Sequence, residues 1–357
     1  MSRSRVINRN YSLDVLRGLA ALSVVLWHWQ HFFYVAGRPV NFRTENQPFF
    51  EYLSLFYLHG SLAVELFFSI SGFVFFWLYA IPIQEKKEKP ASFFIKRFSR
   101  LYPLYILTFI VVAFLQIIYL KVNSYYFVYQ LNDLYHAALN ILMIPAWGFE
   151  QGYSFNGPVW SVSIEILMYS IFFMVCKTKT TRILSILISI ITGLIILNLN
   201  PKISMGLICF FMGGMTFYLY DFFSRNLGQK KSFIVASFLL AISVVINYFV
   251  QDEKNLLVYL TLFPATTAWF FSLGEFPNLA FKKLSWIGDI SYSTYLIHFP
   301  LQIAFSLSAQ WYGFNSSFFT SKITMLFFFF VLIFISLLSH KLFELKLQKW
   351  IRKNYEK

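Results

Sequence analysis

The sequence predicts an all-α integral membrane protein with about ten transmembrane helices. Of its 357 residues, 58% are hydrophobic and 21% are aromatic, whereas only 13% are charged. Soluble domains carry about 25% charged residues, so this chain lacks the polar side chains that a water-facing surface needs. The mean hydropathy of +0.59 points the same way, and the apolar residues fall into stretches close to the length that crosses a bilayer.

A bilayer-spanning helix needs about 20 mainly apolar residues. The first such stretch is not a cleavable signal peptide, because it is long, carries Asp14 and Arg17, and is followed by no A-x-A cleavage pattern. We expect one polytopic domain over residues 1–357. The predicted spans are Ser12–Phe33, Gly60–Ala80, Pro103–Lys121, Val159–Cys176, Ile183–Asn198, Ser204–Tyr220, Ser232–Val250, Asn255–Phe271, Asp289–Gln310 and Ile323–Phe343.

The positions of lysine and arginine predict the orientation. Alternate connections hold 23 and 6 of the 30 basic residues, and Arg17 lies inside the first span. Because cytoplasmic connections are enriched in basic residues, both termini are predicted to be cytoplasmic. The net charge of +14 is then a topology signal and does not indicate a nucleic-acid partner. The 23 are Arg3, Arg5, Arg9, Lys86, Lys87, Lys89, Lys96, Arg97, Arg100, Lys177, Lys179, Arg182, Arg225, Lys230, Lys231, Lys282, Lys283, Lys341, Lys346, Lys349, Arg352, Lys353 and Lys357.

Two of the connections predicted to face outward are long. They are Val35–His59 and Val122–Pro158. The second contains an apolar piece, Leu134–Ile144, which is too short to span and is expected to be re-entrant or interfacial. An extracytoplasmic substrate would meet the protein at these two connections.

Charged side chains inside a span are costly, so each is a candidate functional residue. Arg17 and His28 are eleven residues apart in the first span, which places them on one helix face about 16 Å apart along the axis. Ala21 and Val24 lie between them, so the face is expected to form a slim groove. Asp14 is three residues before Arg17 and is expected to pair with it.

Two carboxylates compete as the partner of His28. Glu165 in the fourth span and Glu65 in the second are both predicted at its depth, and either can support a protonated imidazole. His31 is three residues further along and turned by about 60°, so we expect it to be structural. His298 lies mid-membrane, where a polar tie between helices and a role in substrate binding are both open.

Arg97 and Arg100 lie at the cytoplasmic end of the third span, just before Pro103. They are one helical turn apart and can clamp two phosphate oxygens in fork geometry. The alternative is that they are juxtamembrane charges facing anionic lipid. The two cysteines, Cys176 and Cys209, lie in apolar stretches, so no metal site is predicted.

Five blocks of the sequence, in order, resemble the acyltransferase 3 family, whose members O-acylate bacterial surface polysaccharides such as lipopolysaccharide O-antigen. They cover nearly the whole chain. There are two departures: Glu344-Leu345-Lys346 lacks the proline of the family's usual Glu-x-Pro, and the fused hydrolase-like domain of many members is not found, so a stand-alone form is expected. The blocks are Leu13–Ala21 running on to His28, Val64–Phe73 with Glu65 where aspartate is usual, Arg97–Arg100 with Tyr102-Pro103, Asn156–Glu165 with Tyr169, and Tyr295–His298 with Pro300.

The resemblance implies transfer of an acyl group, acetyl or another, from cytoplasmic acyl-CoA to a hydroxyl group of a surface polysaccharide or glycolipid. Acyl-CoA is then a co-substrate, and no further cofactor is expected. The implied location is the bacterial cytoplasmic membrane, where a homo-oligomer is compatible with the sequence. The implied catalytic residues are His28, Glu165 and Arg17, and the implied substrate-binding residues are Arg97, Arg100, Asn156, Trp160, Tyr169, Glu65 and His298.

The main alternative is a transporter or flippase of a glycan or lipid-linked substrate, in which intramembrane charges line the transport path. Many transporters are built from internal repeats, and none is found in this sequence. A membrane scaffold without enzymatic activity does not explain why Arg17 and His28 share one helix face. The acyltransferase is therefore the preferred hypothesis.

Overall fold

The computed structural model describes residues 9–177, 182–250 and 254–355, and the all-α prediction is confirmed over these residues. Four of the basic residues counted above, Arg3, Arg5, Lys179 and Lys357, lie outside them. The helices are α1 (Tyr11–Trp27), α2 (Phe50–His59), α3 (Ala63–Gln84), α4 (Pro90–Asn123), α5 (Leu134–Ile141), α6 (Trp160–Lys177), α7 (Arg182–Ile195), α8 (Pro201–Leu227), α9 (Gln229–Phe249), α10 (Phe263–Gly274), α11 (Leu279–Leu284), α12 (Trp286–Asp289), α13 (Ser291–Trp311), α14 (Lys322–Leu338) and α15 (Leu345–Tyr355).

Within the described residues, six helical segments are long and apolar enough to cross a membrane. Each coincides with a predicted span, so the membrane class is confirmed. The other four predicted spans correspond to α1, α7, α10 with the π-helical turn before it, and α13, which are shorter or more polar. The count of ten therefore stays a prediction. The six segments are Phe50–Gln84, Pro90–Asn123, Gly157–Lys177, Pro201–Leu227, Gln229–Phe249 and Lys322–Tyr355.

The two long connections differ in structure. Val35–His59 contains regular secondary structure. A short hairpin pairs Tyr34–Val35 with Arg38–Pro39, and α2 continues into α3 through one 3₁₀ turn. The sequence-based span began only at Gly60, since Glu51 and His59 lower the hydropathy of α2. In the second connection, α5 has 8 residues and is about 12 Å long, which is too short to span, as predicted.

Helix α1 lies in the centre of the molecule, where it packs against α3, α10, α12 and α13. The Asn10 side chain caps its first turn by accepting a hydrogen bond from the backbone N–H of Leu13 at 3.1 Å. Glycine allows α12 to approach closely: a Cβ atom at Gly18 would lie 2.7 Å from Cγ1 of Ile287. This close approach holds α1 directly against α12.

The chain changes from α-helix to 3₁₀-helix at His28, and the 3₁₀ segment runs to Phe33. Residues three apart are offset by about 60° in an α-helix but eclipse each other in a 3₁₀-helix. The His31 ring therefore lies against the His28 ring, with 4.6 Å between centroids. The prediction that His31 is turned away from His28 is wrong for this reason.

Candidate active site in two adjoining cavities

One cavity, which we call the arginine cavity, has a volume of about 290 Å³ and contains three arginines. Arg17 comes from α1, and Arg97 and Arg100 come from one turn of α4. A second cavity of about 320 Å³ shares Arg17 and Arg100 and extends towards Asp289 and Glu344. The arginine cavity is thus a cationic site that continues past the helix ends. Its polar lining residues include Ser71, Tyr79, Ser161, Glu165, Tyr169, Ser291, Tyr292 and Tyr295.

Aromatic side chains hold Arg97 in place. Its guanidinium group lies over the rings of Tyr79 and Phe75, 4.7 and 4.9 Å from their centroids, and donates a hydrogen bond to the Tyr79 hydroxyl. The Nε atoms of Arg97 and Arg17 are buried and have no hydrogen-bond partner in the described part of the chain. Buried N–H groups of arginine without a partner are costly, so these two donors point to an anionic ligand.

Asp14 neutralises part of this positive charge. It forms the predicted ion pair with Arg17, and it also accepts a hydrogen bond from Arg9 at 2.5 Å. Arg9 in turn contacts Asp289 at 2.5 Å. This network fixes Arg17 at the end of the arginine cavity that adjoins the 320 Å³ cavity.

Glu165 lines the arginine cavity together with the three arginines. It accepts hydrogen bonds from the Tyr169 hydroxyl and from Ser71 Oγ, the latter at 3.3 Å. With three arginines and one carboxylate, the cavity keeps a net positive charge. That charge suits a phosphate-bearing substrate.

A larger cavity of about 710 Å³, which we call the histidine cavity, contains His28 and Glu65. Lys202 forms an ion pair with Glu150 and lies 3.8 Å from the centroid of the Tyr153 ring. Burial raises the pKa of Tyr153 to about 12, so this phenol is neutral beside the lysine. The lining combines aromatic faces with hydrogen-bonding groups, and it includes Trp27, Tyr129, Gln151, Tyr153, Trp160 and Asn200.

His28 belongs to a cluster of three imidazoles that the sequence did not indicate. Its ring stacks on His298 at 5.0 Å, with 25° between the ring planes, and it contacts His31 on another side. His298 donates through Nδ1 to the Tyr295 carbonyl oxygen at 2.6 Å, so its buried Nε2 is an acceptor without a partner in the described chain. Among the described residues, no group of three His, Cys, Asp or Glu is arranged to hold a metal ion.

A thin partition of side chains separates the two cavities. Phe68 of the arginine cavity meets Trp160 of the histidine cavity edge to face at 6.3 Å. Beside them, the Tyr295 hydroxyl donates to the carbonyl oxygen of Pro158. Ala21 on α1 is only 1% exposed, so the continuous groove predicted along α1 is closed in this structure.

The structure therefore sorts the predicted site residues into two groups. Arg17, Arg97, Arg100, Glu165 and Tyr169 line the arginine cavity, whereas His28, Glu65 and Trp160 line the histidine cavity.

The predicted pairing of Glu165 with His28 is not seen, because depth along a helix does not determine which cavity a side chain faces. Asn156 lines neither cavity and donates to the Leu296 carbonyl oxygen at 3.1 Å. His298 packs directly against His28.

Several lining residues were missed by the sequence analysis, among them Tyr79, Tyr129, Glu150 and Lys202. Three of these lie in connections or at a helix end, where neither periodicity nor intramembrane charge distinguishes them. Tyr79 is a single tyrosine in a mainly apolar helix. Only the tertiary contacts of Arg97 identify it.

Comparisons with known proteins indicate the family of this chain. The family model described as an acyltransferase domain matches residues 10–340, which is most of the chain. "Protein 2 in picA locus" of Rhizobium radiobacter is 39% identical over 101 residues, which cover 28% of this chain and 42% of that protein. The part of this chain that matches thus spans less than half the length of that relative. No solved structure shows a significant match.

Proposed function

This chain belongs to the acyltransferase 3 family of membrane acyltransferases, and from that premise we propose that it moves an acyl group, acetyl in the simplest case, from acyl-CoA to a hydroxyl group of a surface polysaccharide or glycolipid. The observation that carries the proposal is the pair of adjoining cavities. One has the positive charge that an anionic donor requires, and the other is lined by both an imidazole and a carboxylate. Phe68, which lines the first cavity, contacts Trp160, which lines the second.

The donor is proposed to bind at the arginine cavity. The phosphates of CoA would accept hydrogen bonds from Arg97 and Arg100, and the two unpartnered Nε donors support an anion at this place. Arg17 lies at the junction with the neighbouring cavity, where it would hold a further polar group of the donor. For the thioester to reach the histidine cavity, the partition between Phe68 and Trp160 would have to open, because these two rings are in contact.

The transfer step is proposed to take place at His28. The imidazole takes the proton of the acceptor hydroxyl while the hydroxyl oxygen attacks the thioester carbonyl carbon. The new C–O bond forms, the C–S bond breaks, and the proton passes to the sulfur of CoA. Cys176 and Cys209 are buried and line neither cavity, which favours direct transfer over an acyl-cysteine intermediate.

Glu65, rather than Glu165, is proposed to support His28, because the two share a cavity. We expect Glu65→Gln to lower kcat by about tenfold or more at unchanged acyl-CoA KM, since it removes the charge that stabilises the imidazolium.

Glu165→Gln serves as the matched variant. It removes one negative charge from among three arginines, so the KM for acyl-CoA should not rise. Steady-state kinetics with the donor varied distinguish the two. A large fall in kcat for Glu165→Gln, with Glu65→Gln near wild type, would reverse the assignment.

The finer topology is also a proposal: a single domain with about ten spans, both termini cytoplasmic, and residues 122–158 on the far side. Leu134 is 89% exposed at the start of α5, so a membrane-impermeant maleimide should label Leu134→Cys in intact cells. Lys283→Cys in α11 is the matched variant and should be labelled only after permeabilisation. The two native cysteines are buried and should not react with the maleimide. The opposite labelling pattern would invert the proposed orientation.

The decisive test is to incubate the purified protein in vesicles with radiolabelled acetyl-CoA and a surface glycan. Label bound covalently to the glycan is the expected result. Glycan that crosses the vesicle membrane with no label attached would favour the transporter or flippase instead. Comparison of polysaccharide and glycolipid acceptors, and of acetyl and succinyl donors, then defines the substrates.

A further inference from the structure

One buried glutamine on α13 touches both the backbone of His28 and a neighbouring imidazole. Gln302 is 0% exposed and follows His298 by four residues, so the two lie on the same helix face. Its Nε2 donates to the His28 carbonyl oxygen at 2.8 Å, and its Oε1 lies 3.1 Å from Nδ1 of His31. A single side chain thus ties the base to the turn that follows it.

The His28 carbonyl lies where α1 gives way to the 3₁₀ segment. A carbonyl oxygen has two lone pairs, and the 3₁₀ pattern that begins at His28 uses only one of them. Gln302 donates to the same oxygen from a different helix, while His298, one turn earlier on α13, stacks on the His28 ring. Backbone and ring of His28 are therefore both held by α13.

The orientation of the Gln302 amide follows from its partners. A carbonyl oxygen only accepts hydrogen bonds, so the NH₂ group must face His28 and the amide oxygen must face His31. Nδ1 of His31 then carries the proton, which leaves Nε2 as the acceptor. The Tyr129 hydroxyl, 3.5 Å from that Nε2, is the donor of this long contact.

Tyr129 lines the histidine cavity, as His28 does. The donor and acceptor directions that Gln302 sets at His31 therefore extend to a hydroxyl group in that cavity. Burial raises the pKa of its hydroxyl, which therefore keeps its proton. A phenol that donates to His31 has its lone pairs free to accept a hydrogen bond from the cavity side. An acceptor hydroxyl group is a donor of the matching kind.

We propose that Gln302 is a positioning residue for acyl transfer: it anchors the turn that carries His28 and, through His31, orients Tyr129 to accept a hydrogen bond from the substrate hydroxyl. This inference rests on the proposed function. Gln302 itself touches neither substrate in this arrangement and acts only through its two partners.

The test uses Gln302→Met, which keeps the size of the side chain and removes both hydrogen bonds. Because small displacements of reacting groups cost up to about a hundredfold in rate, we expect kcat to fall about ten- to a hundredfold with the KM for acyl-CoA unchanged. Gln310→Met is the matched control: Gln310 lies on the same helix and contacts Tyr119 and Asn123, away from both cavities. Its kcat should stay near wild type.

If Gln302 acts through His31, the effects of substituting the two residues on kcat should not be additive. In a His31→Phe background, Gln302→Met should cost less than in the wild type, because part of the chain is already broken. If Gln302→Met does not fold, Gln302→Asn decides, since its amide keeps both polar groups but is one methylene shorter and cannot reach the His28 carbonyl and His31 together. It too should lower kcat.

Each outcome bears on a separate claim. A folded Gln302 variant with wild-type kcat, equal losses in Gln302→Met and Gln310→Met, or additive effects with His31→Phe would overturn the positioning role. Wild-type protein that transfers no acyl group at all would instead refute the proposed function on which this role depends, whereas a fully active His28→Ala variant would refute only the assignment of His28 as the base.

Discussion

His28→Ala is expected to fold and to bind acyl-CoA but to transfer acyl groups about 10²- to 10⁴-fold more slowly, the range attributed to a positioned general base. His28 lines the histidine cavity and not the arginine cavity, so the loss should fall on kcat and leave the KM of the donor unchanged. The measurement is steady-state transfer from radiolabelled acetyl-CoA, together with binding of acyl-CoA to the variant.

The control for this variant is His59→Ala, which changes an imidazole at the end of α2 that lines neither cavity. It should transfer at the wild-type rate. Near-normal turnover by His28→Ala would remove His28 from the mechanism. If His298→Ala then showed the loss, the base would be the imidazole that stacks on His28 at 5.0 Å.

The double variant Arg97→Ala/Arg100→Ala is expected to weaken acyl-CoA binding by a few kcal/mol, which is about a hundredfold or more in KM. Hydrogen bonds to charged groups contribute about 1.5–3 kcal/mol each, and both guanidinium groups line the same cavity. The apparent affinity for the acceptor should barely change. Donor titrations of the wild type and the variant provide the measurement.

A charge-matched control separates direct contact from the general effect of basic residues near the membrane. Lys282→Ala/Lys283→Ala removes two positive charges from α11, outside both cavities, and should leave donor affinity intact. The single variant Arg97→Lys should also bind acyl-CoA more weakly than the wild type, although it keeps the charge. Lysine lacks the planar guanidinium group that lies over Tyr79 and Phe75. Unchanged donor affinity in the double arginine variant would leave Arg97 and Arg100 with a topological role.

Much of this architecture was predictable from local features of the chain. Hydropathy located the membrane-spanning helices, since the bilayer imposes a minimum apolar length that a sequence either meets or does not. The ion pair of Asp14 with Arg17 followed from spacing on one helix. Intramembrane charge also singled out Arg17, His28, Glu65 and Glu165, because charges in spans are too costly to be incidental.

Pairing between helices was not predictable in the same way. Depth counting put Glu165 level with His28, but α6 turns this side chain towards Tyr169 and the arginines instead. Equal depth leaves the rotation of each helix about its own axis undetermined. Rotation is decided by packing, such as the close contact of Gly18 with Ile287 that presses α12 onto α1.

The sequence by itself determined the membrane class, the family and the candidate residues for the chemistry, because composition, apolar length and motif order are properties of a chain read in one dimension. The tertiary structure alone decided how those residues divide between two cavities, that α1 becomes a 3₁₀-helix at His28, and that His31, His298 and Gln302 surround it. The physical reason is that such contacts join residues up to 274 positions apart, and their geometry depends on how every intervening helix packs.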